Sequence, residues 1–174
     1  MAGAGGALFG TLSALRDGGD ARAEAGIDLT SLNGQDTDVA IQTIVGALTP
    51  ENGDADRIRG AMSEALSECL EGVEVFDFSA ITDDMLVDVM LAYTRNCITQ
   101  QIISDSRDAF AKAKETGRVQ QAEKALRELV AAATEKHLSP LLSGKGKTLD
   151  GPRMAAAQTQ AIAEIWAEWE AYEP

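Results

Sequence analysis

Residues 82–116 read TDDMLVDVMLAYTRNCITQQIISDSRDAFAKAKET, a run without proline or glycine. Thr82 has the side chain to cap a helix start, and Asp83 and Asp84 in the first turn suit the positive end of the helix dipole. Lys112 and Lys114 suit the negative end, and Gly117 is placed to stop the helix. Leu86, Met90, Tyr93 and Cys97 fall on one side at helical spacing. Val87, Leu91, Ile98 and Ile102 make a second apolar row beside them. Two rows give a face too wide for a helix with only one buried side. The stretch reads as the long central helix, over Met85–Ile103 above all, of an all-α domain.

The rest of the composition agrees with that reading. The chain has 174 residues, 45% of them apolar and only 5% aromatic. That suits one domain with a real core, built of close-packed helices rather than sheets. No run approaches the roughly 18 apolar residues a membrane span needs. The N-terminus, MAGAGGALFG, lacks the basic start of a secretion signal, so a cytoplasmic location is expected. Cys69 and Cys97 match no metal spacing and read as buried thiols in a reducing compartment.

The formal charge is −13, unevenly spread. Residues 1–87 hold 16 acidic and 4 basic side chains, and residues 88–174 hold 12 and 11. The acidic balance disfavours direct contact with nucleic acid, whose phosphates would be repelled. The acidic half is either a plain solvated surface or a docking face for a basic partner. In the second reading Asp54, Asp56 and Glu64 are the candidate partner-binding carboxylates.

On either side of the central stretch the chain divides into shorter helical phrases. Residues 1–6 read as a flexible Gly/Ala-rich lead-in, with order starting near Ala7 and continuing as one domain to residue 174. Leu8, Phe9, Leu12 and Leu15 form the first apolar face, and Gly6 and Gly10 permit close approach of another helix. Ala21–Ala25 has room for one or two turns closed by Gly26. Ile27, Leu29 and Leu32 then point inward. Asp36 caps a helix over 37–48 with Val39, Ile41, Ile44, Val45 and Leu48 inward. Asp54 caps the next, which buries Ile58, Met62, Leu66 and Cys69 or Leu70. Val73–Ala80 reads as an extended connector, without a second strand to pair with, that pins Phe76 and Phe78 under the central helix. Gln120–His137 is helical, with Ala122, Leu126, Leu129, Val130 and Ala133 inward and Pro140 as its stop. A loop over 141–151 follows, and Pro152 opens the last helix. The count is five or six helices in a bundle-like domain.

No motif carries recognisable chemistry, and no catalytic, cofactor-binding or metal residue is assigned. Gly146-Lys147-Thr148 lacks the earlier glycine of a phosphate loop, since Leu141 stands there, and a helix rather than a strand precedes it. Asn52, Asp54 and Asp56 alternate like a calcium loop, but the glycine and the closing glutamate are missing. His137, the only histidine, reads as a cap for carbonyls at a helix end. The enzyme alternative is a small catalyst with an unrecognised site near His137 and the 144–148 loop. One feature stands apart. Glu168, Glu170 and Glu173 crowd the unfavourable negative end of the last helix, interleaved with Trp166, Trp169 and Tyr172. These aromatics are either core or a second partner-binding end, since Trp and Tyr often anchor interfaces.

Read end to end, the chain resembles the helical region of the QatB-type subunits of the Qat anti-phage defence system. The resemblance rests on ALFGTLSAL at 7–15, GIDLTSLNGQDTDVAIQTIVGAL at 26–48 and PENGDADRIRGAMSEAL at 50–66. It continues through ITDDMLVDVMLAYTRNCITQQIISD at 81–105 and a last helix opened by DGPRM at 150–154. It implies a bacterial, non-enzymatic subunit acting beside an ATPase, a QueC-like nucleotide-chemistry enzyme and a TatD-like nuclease. The expected partner is the QueC-like enzyme, with the ATPase as a further one. No cofactor, nucleic acid or membrane is implied, and homo-oligomerisation stays open, as does a generic structural or dimerising role. Such subunits usually carry a long Gly/Ser/Pro-rich leader before this domain; here Ala2 follows Met1. The resemblance assigns no functional residue.

Overall fold

A computed structural model describes residues 1–105, 116–142 and 149–170, without the side chains of residues 23, 24, 116–119, 122, 169 and 170. The fold is all-α. Among the described residues there are six helices of three turns or more: α1 Ala2–Arg16, α3 Thr37–Leu48, α4 Ala55–Cys69, α5 Asp83–Asp105, α6 Thr116–Leu142 and α7 Gly151–Glu170. A single turn, α2 Arg22–Ala25, and two 3-10 turns, Thr30–Leu32 and Phe78–Ala80, complete the order. No helix among them is long and apolar enough to cross a membrane.

Helix α5 is the centre, packed on α1, α4, α6 and α7. The Thr82 hydroxyl caps it by accepting from the Met85 N–H at 3.1 Å. Both apolar rows are used, but unequally. Leu86, Met90, Tyr93, Cys97, Ile98 and Ile102 are buried, whereas Val87 and Leu91 are only half-buried. Val89, Ala92, Thr94, Asn96 and Thr99 are buried as well. From Val89 to Thr99 the helix is therefore enclosed on nearly every side, which places neighbours around it rather than beneath it.

That enclosure divides the interior in two. The larger core joins α1, α3, α4, the first half of α5, the end of α6 and the first half of α7, with Phe9, Ile44, Met62, Phe76, Leu138 and Met154 among its members. The smaller lies between the second half of α5, α6 and α7, built from Ile98, Ile102, Leu126, Val130, Ala133 and Ile165.

Several sequence expectations change. Helix α1 begins at Ala2, not Ala7, because α7 packs along it and offsets the helix-weakening glycines. Gly5 and Gly6 are buried there, against Gln158 and against Gly151 and Ala155. Ile27 and Val39 face solvent rather than the core. Val39 lies two residues, about 200° of helical turn, from buried Ile41 and so points the opposite way. Asp36 caps α3 through the Asp38 and Val39 N–H groups. Asp54 precedes α4 but its side chain caps nothing and pairs instead with Arg57. Gly117 lies inside α6 and does not stop α5. Pro140 also lies inside α6, which runs to Leu142. The missing N–H costs the helix one hydrogen bond to the carbonyl four residues back, and buried Leu138 and Leu142 offset that loss by holding the last turn on the core. Lys112, Lys114 and the 143–148 loop fall outside the described residues.

The connector after α4 does find a partner. Gly34 N–H donates to Phe76 C=O at 2.8 Å, Phe76 N–H to Gln35 C=O at 2.8 Å and Thr37 N–H to Glu74 C=O at 3.1 Å. Asp36 and Val75 stand opposite each other in an antiparallel bridge. Phe76 is buried, and Phe78, half-buried, meets it edge-on at 5.8 Å.

Candidate functional site

The first candidate surface is the outer side of α4. Asp54 and Asp56 flank its first residue, and Glu64 follows Asp56 by eight residues, about 12 Å along the axis. All three are exposed. Asp54 pairs with Arg57, whose other nitrogen reaches Gln101 on α5. Asp56 pairs with Arg59 at 3.1 Å yet keeps 98% of its side chain in water. An ion pair that wet contributes little to holding the carboxylate in place. The Asn52 side chain accepts from the Asp54 N–H at 2.9 Å, so the calcium-like alternation is used to shape the turn before α4.

Glu64 also borders a groove of about 470 Å³ between α4, α5 and α6. Its walls carry both signs: Glu68, Arg95, Lys124, Arg127 and Glu128 lie along it with Glu64. Glu68 and Arg95 pair across the α4–α5 seam at 2.5 Å. Arg127 turns along its own helix to Glu123 at 3.0 Å. Along it Thr99 is buried, and its hydroxyl has no hydrogen-bond partner among the described residues. The sequence reading assigns Arg95 no role. It is nevertheless the lone basic side chain of α5.

The second candidate surface is the end of α7. Trp166 packs, half-buried, on the smaller core. Trp169 lies in α7, but its side chain is outside the described residues, as is all of Tyr172. Helix α4 packs on α3 and α5, whereas α7 packs mainly on α1 and α6 and more lightly on α5. The carboxylates and Trp166 therefore sit on different elements.

His137 does not cap carbonyls. It lies on the α6 side of the α6–α7 seam, with Nδ1 2.6 Å from Glu164 Oε2 and Nε2 2.8 Å from Glu168 Oε1. Lys136 also reaches Glu168. Two carboxylates take both ring nitrogens, and both nitrogens donate only in the imidazolium form. The hydrogen bonds from Lys136, then from His137, hold the Glu168 carboxyl below the usual carboxylate range. Glu168, unfavourable by its place near a helix C-terminus, is thus answered by Lys136 and His137 from the neighbouring helix.

The two thiols are free. Burial pushes each up to about 11, with Asp88 and Glu68 adding to the effect at Cys69. Neither is a ready nucleophile in that state.

The family described as Qat anti-phage system associated protein QatB matches residues 1–168 of the chain. No curated protein and no solved structure matches it significantly.

Proposed function

Because this chain belongs to the QatB family and is thus a component of the Qat anti-phage system, we propose that it works by binding a partner protein. The proposed partner is the system's QueC-like enzyme, with its ATPase a second candidate, and the chain has no catalytic activity of its own. The observation that supports this reading most is electrostatic. The first 87 residues carry a net charge of −12, from 16 acidic and 4 basic side chains. On α4 that charge stands outward at Asp54, Asp56 and Glu64. Surface charge of one sign steers a partner of the other and speeds its encounter.

Binding kinetics on an immobilised partner test the reading. Charge reversal at Asp54, Asp56 and Glu64 slows association more than it speeds dissociation, and rising salt weakens the complex as the screening length shrinks to about 8 Å. If the aromatic end of α7 is the anchor instead, Trp169→Ala raises the dissociation rate and salt matters little. Alanine at His137 or Lys147 leaves function intact on the binding reading. Loss of function there, with binding preserved, would favour an enzyme.

A further inference from the structure

The large exposed apolar side chains among the described residues are Ile27, Val39, Val73 and Val75. Three of these gather around the antiparallel bridge. Val75 is 54% exposed and stands opposite Asp36; Val39, 53% exposed, lies in the first turn of α3, whose cap is Asp36. Val73, two residues before Val75, shares its face in an extended chain. The ladder itself is one-sided. Glu74 and Phe76 spend their main-chain groups on residues 34–37. In an extended strand alternate residues aim their N–H and C=O to opposite edges. The groups of Val75 therefore point away from residues 34–37, and neither has a hydrogen-bond partner among the described residues. The Val73 C=O and the Asp77 N–H lie on the same open edge, likewise without a main-chain partner.

Charge selects what suits this edge. Residues 33–40 and 71–77 contain Asp36, Asp38, Glu71, Glu74 and Asp77 and no basic residue. A second copy of the chain would bring five carboxylates against five. We propose that residues 73–77 are a docking edge for an extended, basic segment of a partner protein, which adds as a strand beside Val75. Its main-chain groups pair with the open edge, its apolar side chains cover Val73, Val75 and Val39, and its lysines or arginines meet the surrounding carboxylates. Strand addition of this kind takes affinity from the backbone and selectivity from alternate side chains. The inference rests on the protein-binding reading above but places the contact at a different part of the acidic half from α4.

The test uses a fluorescein-labelled peptide of alternating lysine and valine, with a proline-interrupted version as its control. Fluorescence anisotropy follows both against the intact protein. Val75→Pro deletes the outward N–H. Val75→Lys keeps the backbone but sets a like charge under the peptide, so it still reports if the proline variant melts early. Expected are binding of the alternating peptide to the unaltered chain, about tenfold weakening by each variant, and weak binding of the interrupted peptide. Equal binding to all three proteins would mean diffuse charge attraction and would overturn the proposal, as would no binding by the unaltered chain. Pull-down of the QueC-like enzyme is read in parallel. If that complex survives both Val75 variants and the peptide shows no Val75 dependence, the edge falls and the partner reading stands. If the peptide binds as expected and the enzyme does not, the edge stands and the choice of partner falls.

Discussion

Helix α1 carries a glycine at which alanine should do the opposite of what helix propensity says. Replacing glycine by alanine inside a helix ordinarily stabilises it by about 1 kcal/mol. Gly6, however, lies against the start of α7. A methyl group there would fall well under 3.0 Å from the Gly151 carbonyl oxygen and 3.0 Å from the Ala155 Cβ. The oxygen belongs to the backbone, so no rotamer change relieves the clash and the two helices must separate by roughly 1 Å. Overpacking of that kind costs about 1–3 kcal/mol. Set against the propensity gain, the net loss for Gly6→Ala is up to about 2 kcal/mol, and a chain of this size then loses roughly 4–8 °C in Tm at the upper figure. Gly46 in α3 is the control, since an added Cβ there meets nothing within 4 Å. Gly46→Ala should raise Tm by roughly 2–4 °C for its 1 kcal/mol. Thermal melts followed by circular dichroism compare the two. A rise for Gly6→Ala as large as that for Gly46→Ala would refute the seating of α1 on α7.

Ile98→Ala should cost about 2–5 kcal/mol in urea unfolding, because Ile98 is fully buried between α5, α6 and α7, and half-buried Leu91→Ala clearly less; equal costs would show that the smaller core is misplaced. Asp28, held down to about 2 by hydrogen bonds from Thr30 and then Arg22, contributes stability that is complete above the unfolded carboxylate range and is lost as pH falls from about 4 to about 2. Asp28→Asn should flatten that part of the acid limb of the urea midpoint, and an unchanged limb would contradict the loop geometry. Both thiols, pushed up to about 11 by burial, should react with iodoacetamide at pH 8 far more slowly in the native protein than in urea, as mass spectrometry would show. Rapid native labelling of Cys97 would mean that α5 is not enclosed.

The sequence carries the helical frame because each helix repeats its signal along its own length. The caps at Asp36 and Thr82 and the apolar rows of α1, α4 and α5 are local, and they reappear in the structure. What it hides depends on neighbours. Polar Thr94, Asn96 and Thr99 are buried only because helices surround α5, and no pattern within α5 announces that. Val39 reads as core by type, yet the angle to Ile41 turns it outward. The pairing of residues 34–37 with 74–76 joins segments nearly forty residues apart, and neither shows a strand's alternation strongly. The site is less legible still. Asp54, Asp56 and Glu64 were visible as charge, but His137 with Glu164 and Glu168 becomes a cluster only when α6 lies on α7.

Size-exclusion chromatography of the chain co-expressed with the QueC-like enzyme, as its gene encodes it, tests the central claim most directly. The account predicts a single co-eluting peak at low salt that splits into two as salt rises, because exposed carboxylates act only within a few screening lengths. Separate elution at every salt concentration would contradict it.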